Sequence, residues 1–226
     1  DNGSHRVEAW IGIAHKTHDT DSAEHIVGYA TLAALQARAE NTPTMNYEPR
    51  MAEQASGRLA TIANLRRALS ANEFALHFQP ILRLSDGVIV SVEALLRWQD
   101  AFGNFIPPSQ FIPLSEESGL IMPIGEWVLT EAARAHVALA DAGFGDIPIA
   151  VNASAEQFVG GSFPRILRHV RRTYGLTRDA LQVELTESAM MRRPEEVRAA
   201  IDDLHRDGVC IAIDDFGTGF SSMVYL

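Results

Sequence analysis

The pattern of hydrophobic and polar residues separates a short N-terminal segment from a longer segment that begins near residue 74. In the longer segment, short apolar runs alternate with amphipathic stretches, and residues 147–151 are almost continuously apolar. Such runs are typical of strands covered on both faces, and their alternation with helices predicts a parallel α/β sheet or barrel. The predicted strands are residues 74–81, 88–96, 147–153, 181–185 and 209–213, and the predicted helices are residues 124–142, 163–174 and 194–206.

The N-terminal segment carries few predicted elements. Its β-branched and aromatic residues predict a strand over residues 6–14, and a run rich in Ala and Leu predicts a helix over residues 22–40. Because two elements cannot bury a core, we interpret residues 1–50 as the end of a domain that starts upstream. Apolar residues at three- to four-residue spacing predict a helix over residues 51–71, which we interpret as a connection to the segment 72–226.

Composition narrows the classes of function. The 226 residues are 46% hydrophobic and 21% charged, which is typical of a globular protein and excludes a disordered or disulfide-stapled chain. A net charge of -10 provides no global attraction to nucleic acid or to an anionic membrane. The only cysteine, Cys210, lies in an apolar run, where we expect it to be buried. This lone cysteine and the lack of a long apolar run predict a cytoplasmic protein, although a longer parent protein could carry a membrane anchor elsewhere.

Four successive predicted strands deliver oxygen-bearing side chains at or near their carboxyl ends, where active sites assemble in α/β barrels. These side chains are Glu93, Asn152, Glu184 and the neighbours Asp214 and Asp215. Carboxylates that converge raise one another's pKa, so we expect a bound counter-ion. A set without His or Cys predicts a hard divalent cation, Mg²⁺ or Mn²⁺, and several carboxylates with an amide can hold two ions. A single acid of this kind would be expected only to cap the next helix, but four successive strands make capping the weaker explanation.

Several sequence segments surround these residues in a fixed order. Glu93 opens Glu-Ala-Leu-Leu-Arg-Trp and follows Phe-Gln-Pro-Ile at residues 78–81. Asn152 lies in Val-Asn-Ala-Ser-Ala-Glu-Gln-Phe, Glu184 opens Glu-Leu-Thr-Glu-Ser, and Asp214 opens Asp-Asp-Phe-Gly-Thr-Gly. This ordered set resembles the EAL domain, the family of bacterial cyclic-di-GMP phosphodiesterases. An isolated Glu-Ala-Leu would be weak evidence, whereas the colinear set over the longer segment is strong evidence.

The resemblance implies a fold and a reaction. The fold is a TIM-like (β/α)8 barrel, of which this chain holds about the first five strands, and the reaction is hydrolysis of cyclic-di-GMP to linear pGpG. The family also uses two metal ions, Mg²⁺ or Mn²⁺. The metal ligands implied by the resemblance are Glu93, Asn152, Glu184, Asp214 and Asp215, of which Glu93, Asp214 and Asp215 are the catalytic residues.

The resemblance also implies roles for individual residues outside the metal site. The resemblance implies that Gln79 and Arg97 contact the dinucleotide, and a guanidinium suits phosphate because it offers two donors to the phosphate oxygens. It further implies that Glu187 anchors the loop of residues 215–222. In the family this loop is linked to dimerisation, so we expect a homodimer formed through the EAL domain.

The two ends of the chain carry further expectations. Residues 1–45 are similar to the closing strand and helix of an α+β GGDEF-type domain, so we expect GGDEF-like and sensory domains upstream. The family places a lysine, a glutamate and a glutamine after the Asp-Asp-Phe-Gly-Thr-Gly loop, and all three lie beyond Leu226. The chain's single lysine, Lys16, lies far from that position. We therefore expect an incomplete EAL domain, which on its own is inactive.

Two other functions are considered beside hydrolysis. One is a catalytically silent receptor that binds cyclic-di-GMP and signals through contacts between domains. The other is an unrelated barrel enzyme that uses Mg²⁺, for example to stabilise an enolate. Silent members of the family usually lose Glu93, Asn152, Glu184 or the pair Asp214 and Asp215. All of these residues are present here, which favours hydrolysis.

Overall fold

The computed structural model describes residues 8–16, 22–192 and 194–214. These residues form two compact units that divide between Ala63 and Asn64. The elements of the N-terminal unit are β1 (Ile11–Ile13), α1 (Ala23–Ala39), β2 (Thr44–Asn46) and the start of α2 (Pro49–Ala71), the helix in which the boundary lies.

The N-terminal unit is built around α1. Ser22 caps this helix, because its side chain accepts a hydrogen bond from the His25 N–H at 3.2 Å. β1 and β2 pair in parallel. The sequence predicts α1 and β1 but misses β2, since a strand of three residues is too short to show an alternating pattern. The domain limits at residues 50 and 71 stay predictions.

The C-terminal unit is a sheet covered by helices. Its strands follow the order β3-β4-β6-β7-β8, and β5 pairs with β4. All five predicted strands and all three predicted helices are present, so the predicted α/β class is confirmed. The elements are β3 (Phe74–Leu82), β4 (Ile89–Gln99), β5 (Phe105–Ile106), α3 (Pro108–Glu117), α4 (Ile121–Asp141), β6 (Ile149–Asn152), α5 (Ala155–Phe158), α6 (Ser162–Tyr174), β7 (Leu181–Thr186), α7 (Glu187–Arg192), α8 (Pro194–Arg206) and β8 (Ile211–Asp214).

One edge of this sheet corrects the prediction of parallel strands. β3 and β4 form an antiparallel hairpin, while β4, β6, β7 and β8 are parallel. The connection between β3 and β4 is too short for a parallel crossover, which needs about a dozen residues or more. It is closed by a hydrogen bond from the Arg83 N–H to the Val88 carbonyl at 2.8 Å and by an Arg83–Asp86 ion pair at 2.8 Å. Gly87 has a φ of 72°, which a residue with a side chain rarely adopts.

The sheet has one face covered by helices and one open face. On β7, Leu181, Val183 and Leu185 are buried, whereas Gln182 and Glu184 are half-buried. This alternation places the apolar residues of the strand on the covered face and the polar residues on the open face. The polar residues that the sequence singles out therefore lie on a surface that the helices leave accessible.

Aromatic side chains form the core beneath the covered face. Trp98 of β4 meets Phe111 of α3 edge-on at 5.5 Å between ring centroids, and Phe74 lies 6.0 Å from Trp98. The indole N–H of Trp98 donates to Oε2 of Glu73 at 3.1 Å, and Arg67 pairs with the same carboxylate at 2.8 Å. These contacts fasten the end of α2 to β4, the strand that carries Glu-Ala-Leu.

Cys210 departs from its predicted burial. Val209 is buried, but Cys210 is exposed and precedes β8. Since residues two apart share a face, Cys210 lies with Ala212 and Asp214 on the open face, which none of the described helices covers. Among the described helices, none is long and apolar enough to cross a membrane.

Candidate active site

Four of the predicted metal ligands lie on the open face of the sheet: Glu93, Asn152, Glu184 and Asp214. In the parallel register, Asn152 of β6 lies directly beside Glu184 of β7. Glu93 lies beside Ala150, two residues before Asn152, and Ala212 lies beside Glu184, two residues before Asp214. Because side chains alternate and parallel partners share a face, all four predicted residues belong to the open face.

The position of Glu93 on its strand differs from the prediction. β4 continues to Gln99, so Glu93 lies in the middle of the strand and not near its carboxyl end. The register places Glu93 level with Ala150, two residues before the end of β6, and the site residue lies two residues further along on β6 than on β4 because the strands are displaced along one another. Such displacement is a property of the tilted strands of a barrel, and hydrophobic periodicity does not report it.

Two hydrogen bonds join three strands at this point. Nδ2 of Asn152 donates to Oε1 of Glu93 at 2.7 Å. The next residue, Ala153, donates its backbone N–H to the Glu184 carbonyl at 2.9 Å. A side-chain hydrogen bond therefore joins Asn152 to Glu93, and the backbone register places Glu184 beside Asn152.

The negative charges on the open face affect the pKa of Glu184. Burial raises the pKa of Glu184, and the negative charges of Glu93 and Asp214 raise it further. The sequence predicts this mutual repulsion and the need for a counter-ion. The all-oxygen donor set fits a hard divalent cation in its chemistry. Within the described residues, no three or more His, Cys, Asp and Glu side chains are arranged to hold an ion.

The two predicted substrate-binding residues lie on the same face. Gln79 of β3 pairs directly with Glu93 in the antiparallel register, and it is exposed. Arg97 follows Glu93 by four residues on β4 and is half-buried. Its Nη1 donates to the Leu96 carbonyl at 3.0 Å. Contact of Gln79 and Arg97 with a nucleotide stays a prediction.

The remaining predicted residues lie at or beyond the end of the described sheet. Glu187 is the first residue of α7, directly after β7, and is half-buried. Asp215 and the loop of residues 215–222 lie outside the described residues. The anchoring role of Glu187 therefore stays a prediction.

Sequence reasoning missed other polar residues at this site. Ser91 and Gln182 share the open face with Glu93 and Glu184, and an alternation count along each strand would have found them. Gln157 of α5 is a buried polar residue close to this site, and the sequence alone did not identify its burial. The spacing of Ser154 and Gln157 matches a capping box, which was the available signal.

Comparison with known proteins agrees with this arrangement. The family model described as the EAL domain matches residues 62–226. The bifunctional diguanylate cyclase/cyclic di-GMP phosphodiesterase MucR of Pseudomonas aeruginosa is 38% identical over 222 residues, which are 98% of this chain and 32% of that protein. The cyclic di-GMP phosphodiesterase NbdA of the same organism is 34% identical over 221 residues, which are 97% of this chain and 28% of that protein.

A solved structure extends the likeness to three dimensions. The PaMucR phosphodiesterase in complex with c-di-GMP superposes with a TM-score of 0.69 and 42% identity, covering 74% of this chain and 67% of that one. This chain spans about a third or less of the length of the two curated relatives, 32% and 28%. The predicted TIM-like α/β class agrees with the superposition, and from residue 62 onward the chain belongs to the EAL domain family.

Proposed function

We propose that the protein containing this chain hydrolyses cyclic-di-GMP to linear pGpG in bacterial second-messenger signalling. The observation that carries the proposal is the convergence of Glu93, Asn152 and Glu184 on the open face of an EAL-family sheet. Relatives named as cyclic-di-GMP phosphodiesterases support the same reaction. In this reaction, water adds to one phosphorus atom and one P–O bond of the ring breaks.

We propose that Mg²⁺ or Mn²⁺ binds between the strand residues, in a two-metal site completed by Asp215. A bound ion of this kind supplies positive charge to the phosphate and lowers the pKa of water. The Asn152 Nδ2 bond to Glu93 leaves Oδ1 as the amide atom for an ion. Glu184 is suited to this role, because a cation would relieve the repulsion that raises its pKa.

The protein's own residues have separate roles in the proposal. Glu93, Asp214 and Asp215 are the catalytic carboxylates, which would hold the metal ions that the reaction uses. Arg97 pairs with a phosphate of the dinucleotide through its guanidinium. Gln79 contacts the dinucleotide from the strand opposite Glu93.

The wider assembly is also part of the proposal. We infer a homodimer formed through the EAL domain, with Glu187 anchoring the loop 215–222, and GGDEF-like and sensory domains upstream. The alignment with a protein named as a bifunctional cyclase and phosphodiesterase covers 98% of this chain and so includes its N-terminal unit, which supports a GGDEF-like origin for residues 1–50. A cytoplasmic location is proposed because Cys210 has no second cysteine in this chain to form a disulfide with.

The test is product analysis with the intact protein. Cyclic-di-GMP is incubated with Mg²⁺ or Mn²⁺, and the nucleotides are separated by chromatography. We expect one pGpG for each cyclic-di-GMP consumed, and no product when a chelator removes the ion. Binding of cyclic-di-GMP without turnover would contradict hydrolysis and identify a silent receptor.

A further inference from the structure

Gln157 is a buried polar residue of the short helix α5. It lies three positions after Ser154, which belongs to the loop that follows Asn152. Gln157 is only 3% exposed. Oε1 of Gln157 accepts the backbone N–H of Ser154 at 2.8 Å, and the Gln157 N–H donates to the Ser154 carbonyl at 3.0 Å. A buried amide that binds the backbone in this way specifies the conformation of the loop.

Gly125 provides the space that the Gln157 side chain occupies. A Cβ atom added to Gly125, in the second turn of α4, would lie 1.9 Å from Nε2 of Gln157. No side chain larger than hydrogen fits there unless Gln157 moves. Glycine destabilises a helix interior relative to alanine, so its presence here has a steric reason in the approach of Gln157.

Three consecutive residues of the loop are fixed in three different ways. The Asn152 side chain donates to Glu93, the Ala153 N–H donates to the Glu184 carbonyl, and the Ser154 N–H donates to Gln157. Two of these acceptors belong to residues of the proposed metal site. Gln157 is the acceptor that holds the loop from outside that site.

We propose that Gln157, seated against Gly125, is a positioning residue that holds the Asn152 side chain toward Glu93. This inference rests on the proposed function, because it concerns the orientation of a proposed metal ligand. Gln157 touches neither substrate nor ion. It acts by fixing the peptide that follows Asn152, as outer groups around a metal site fix the ligands themselves.

The test compares two changes that remove the same contact. Gln157→Met keeps the length of the side chain but removes the acceptor for Ser154, and Gly125→Ala pushes the amide away. In the intact protein, both should weaken Mn²⁺ binding by about 10- to 100-fold, measured by calorimetry without nucleotide. The double variant should bind Mn²⁺ no more weakly than the more affected of the two single variants, because both changes break the same contact.

Gly57→Ala is the matched control. Gly57 also lies inside a helix, but a Cβ atom there would meet nothing within 4 Å. We expect Mn²⁺ affinity equal to that of the parent protein and an unchanged or higher melting temperature. The comparison separates the steric contact at Gly125 from the general effect of replacing glycine in a helix.

A second readout distinguishes positioning from stability alone. The side-chain amide signals of Asn152, assigned by their loss in Asn152→Asp, should shift or broaden in the nuclear magnetic resonance spectrum of Gln157→Met. A purely structural role would lower the melting temperature while the folded variant kept both the parent Mn²⁺ affinity and the parent Asn152 signals. That result would overturn the inference.

The outcomes also separate this inference from the proposed reaction. Parent protein that forms pGpG, with variants of unchanged ion affinity, would overturn the positioning role alone. Parent protein that binds Mn²⁺ without forming pGpG, with variants that bind it more weakly, would support positioning and contradict hydrolysis. Parent protein that binds neither Mg²⁺ nor Mn²⁺ would contradict both.

Discussion

Replacing Glu93 with glutamine is expected to reduce cyclic-di-GMP turnover by about a thousandfold or more while the protein stays folded. The magnitude is that of removing one member of a catalytic unit. Glu93 is half-buried on the open face, and a glutamine oxygen can still accept the Asn152 amide. The fold therefore keeps its contact, while the site loses a negative ligand. The measurement is the rate of pGpG formation at saturating Mg²⁺, with circular dichroism to confirm folding.

Glu126→Gln is the control for this change. Glu126 lies on the exposed surface of α4 in the same unit, away from the open face. Its replacement removes the same charge from the protein and should leave turnover within a factor of two of the parent, since surface changes of this kind have small effects. A Glu93→Gln variant that retained a tenth or more of the parent rate would contradict the role of Glu93.

Replacing Glu184 with glutamine is expected to abolish turnover and yet to stabilise the ion-free protein at neutral pH. The folded protein raises the pKa of Glu184 above its value in the unfolded chain, so the ionised form is less favourable in the folded state. The parent therefore loses stability as pH rises through the raised pKa. Glutamine carries no charge and avoids that loss.

Thermal unfolding with a chelator between pH 4 and pH 8 tests the sign of this effect. The melting temperature of Glu184→Gln should exceed that of the parent at pH 8, and the difference should vanish as pH falls below the ordinary pKa of glutamate. Added Mg²⁺ should stabilise the parent more than the variant, because only the parent retains the full ligand set. A variant less stable than the ion-free parent at pH 8 would contradict the raised pKa of Glu184.

The sequence predicted β3, β4, β6, β7 and β8 because each falls on a segment that is either largely apolar or alternates apolar and polar residues. It missed β2 and β5, which are three and two residues long, and it missed the antiparallel direction of β3. Direction depends on the length of the connection, and the Asp86-Gly87 turn signal was in the sequence. Local pattern thus predicts which residues form strands better than it predicts how the strands pair.

At the site, too, the sequence predicted features that depend on one segment and missed those that depend on contacts between segments. Asn152 and Glu184 were predictable because they come directly at or near the ends of their strands. The mid-strand position of Glu93 follows from the extension of β4 to Gln99, where the strand pairs with β3 and β5, and no single segment encodes that pairing. The contact of Gln157 with Gly125 joins two segments far apart in the chain, so neither segment alone indicates it.

Anomalous diffraction from crystals of the intact protein grown with Mn²⁺ tests the proposed site most directly. We predict a manganese peak on the open face, bonded to carboxylate oxygens of Glu93, Glu184 and Asp214 and to Oδ1 of Asn152. The same peak should be absent from crystals of Glu93→Gln. Manganese bound elsewhere in the parent protein, with no peak between these strands, would contradict the proposed metal site and the role of the open face.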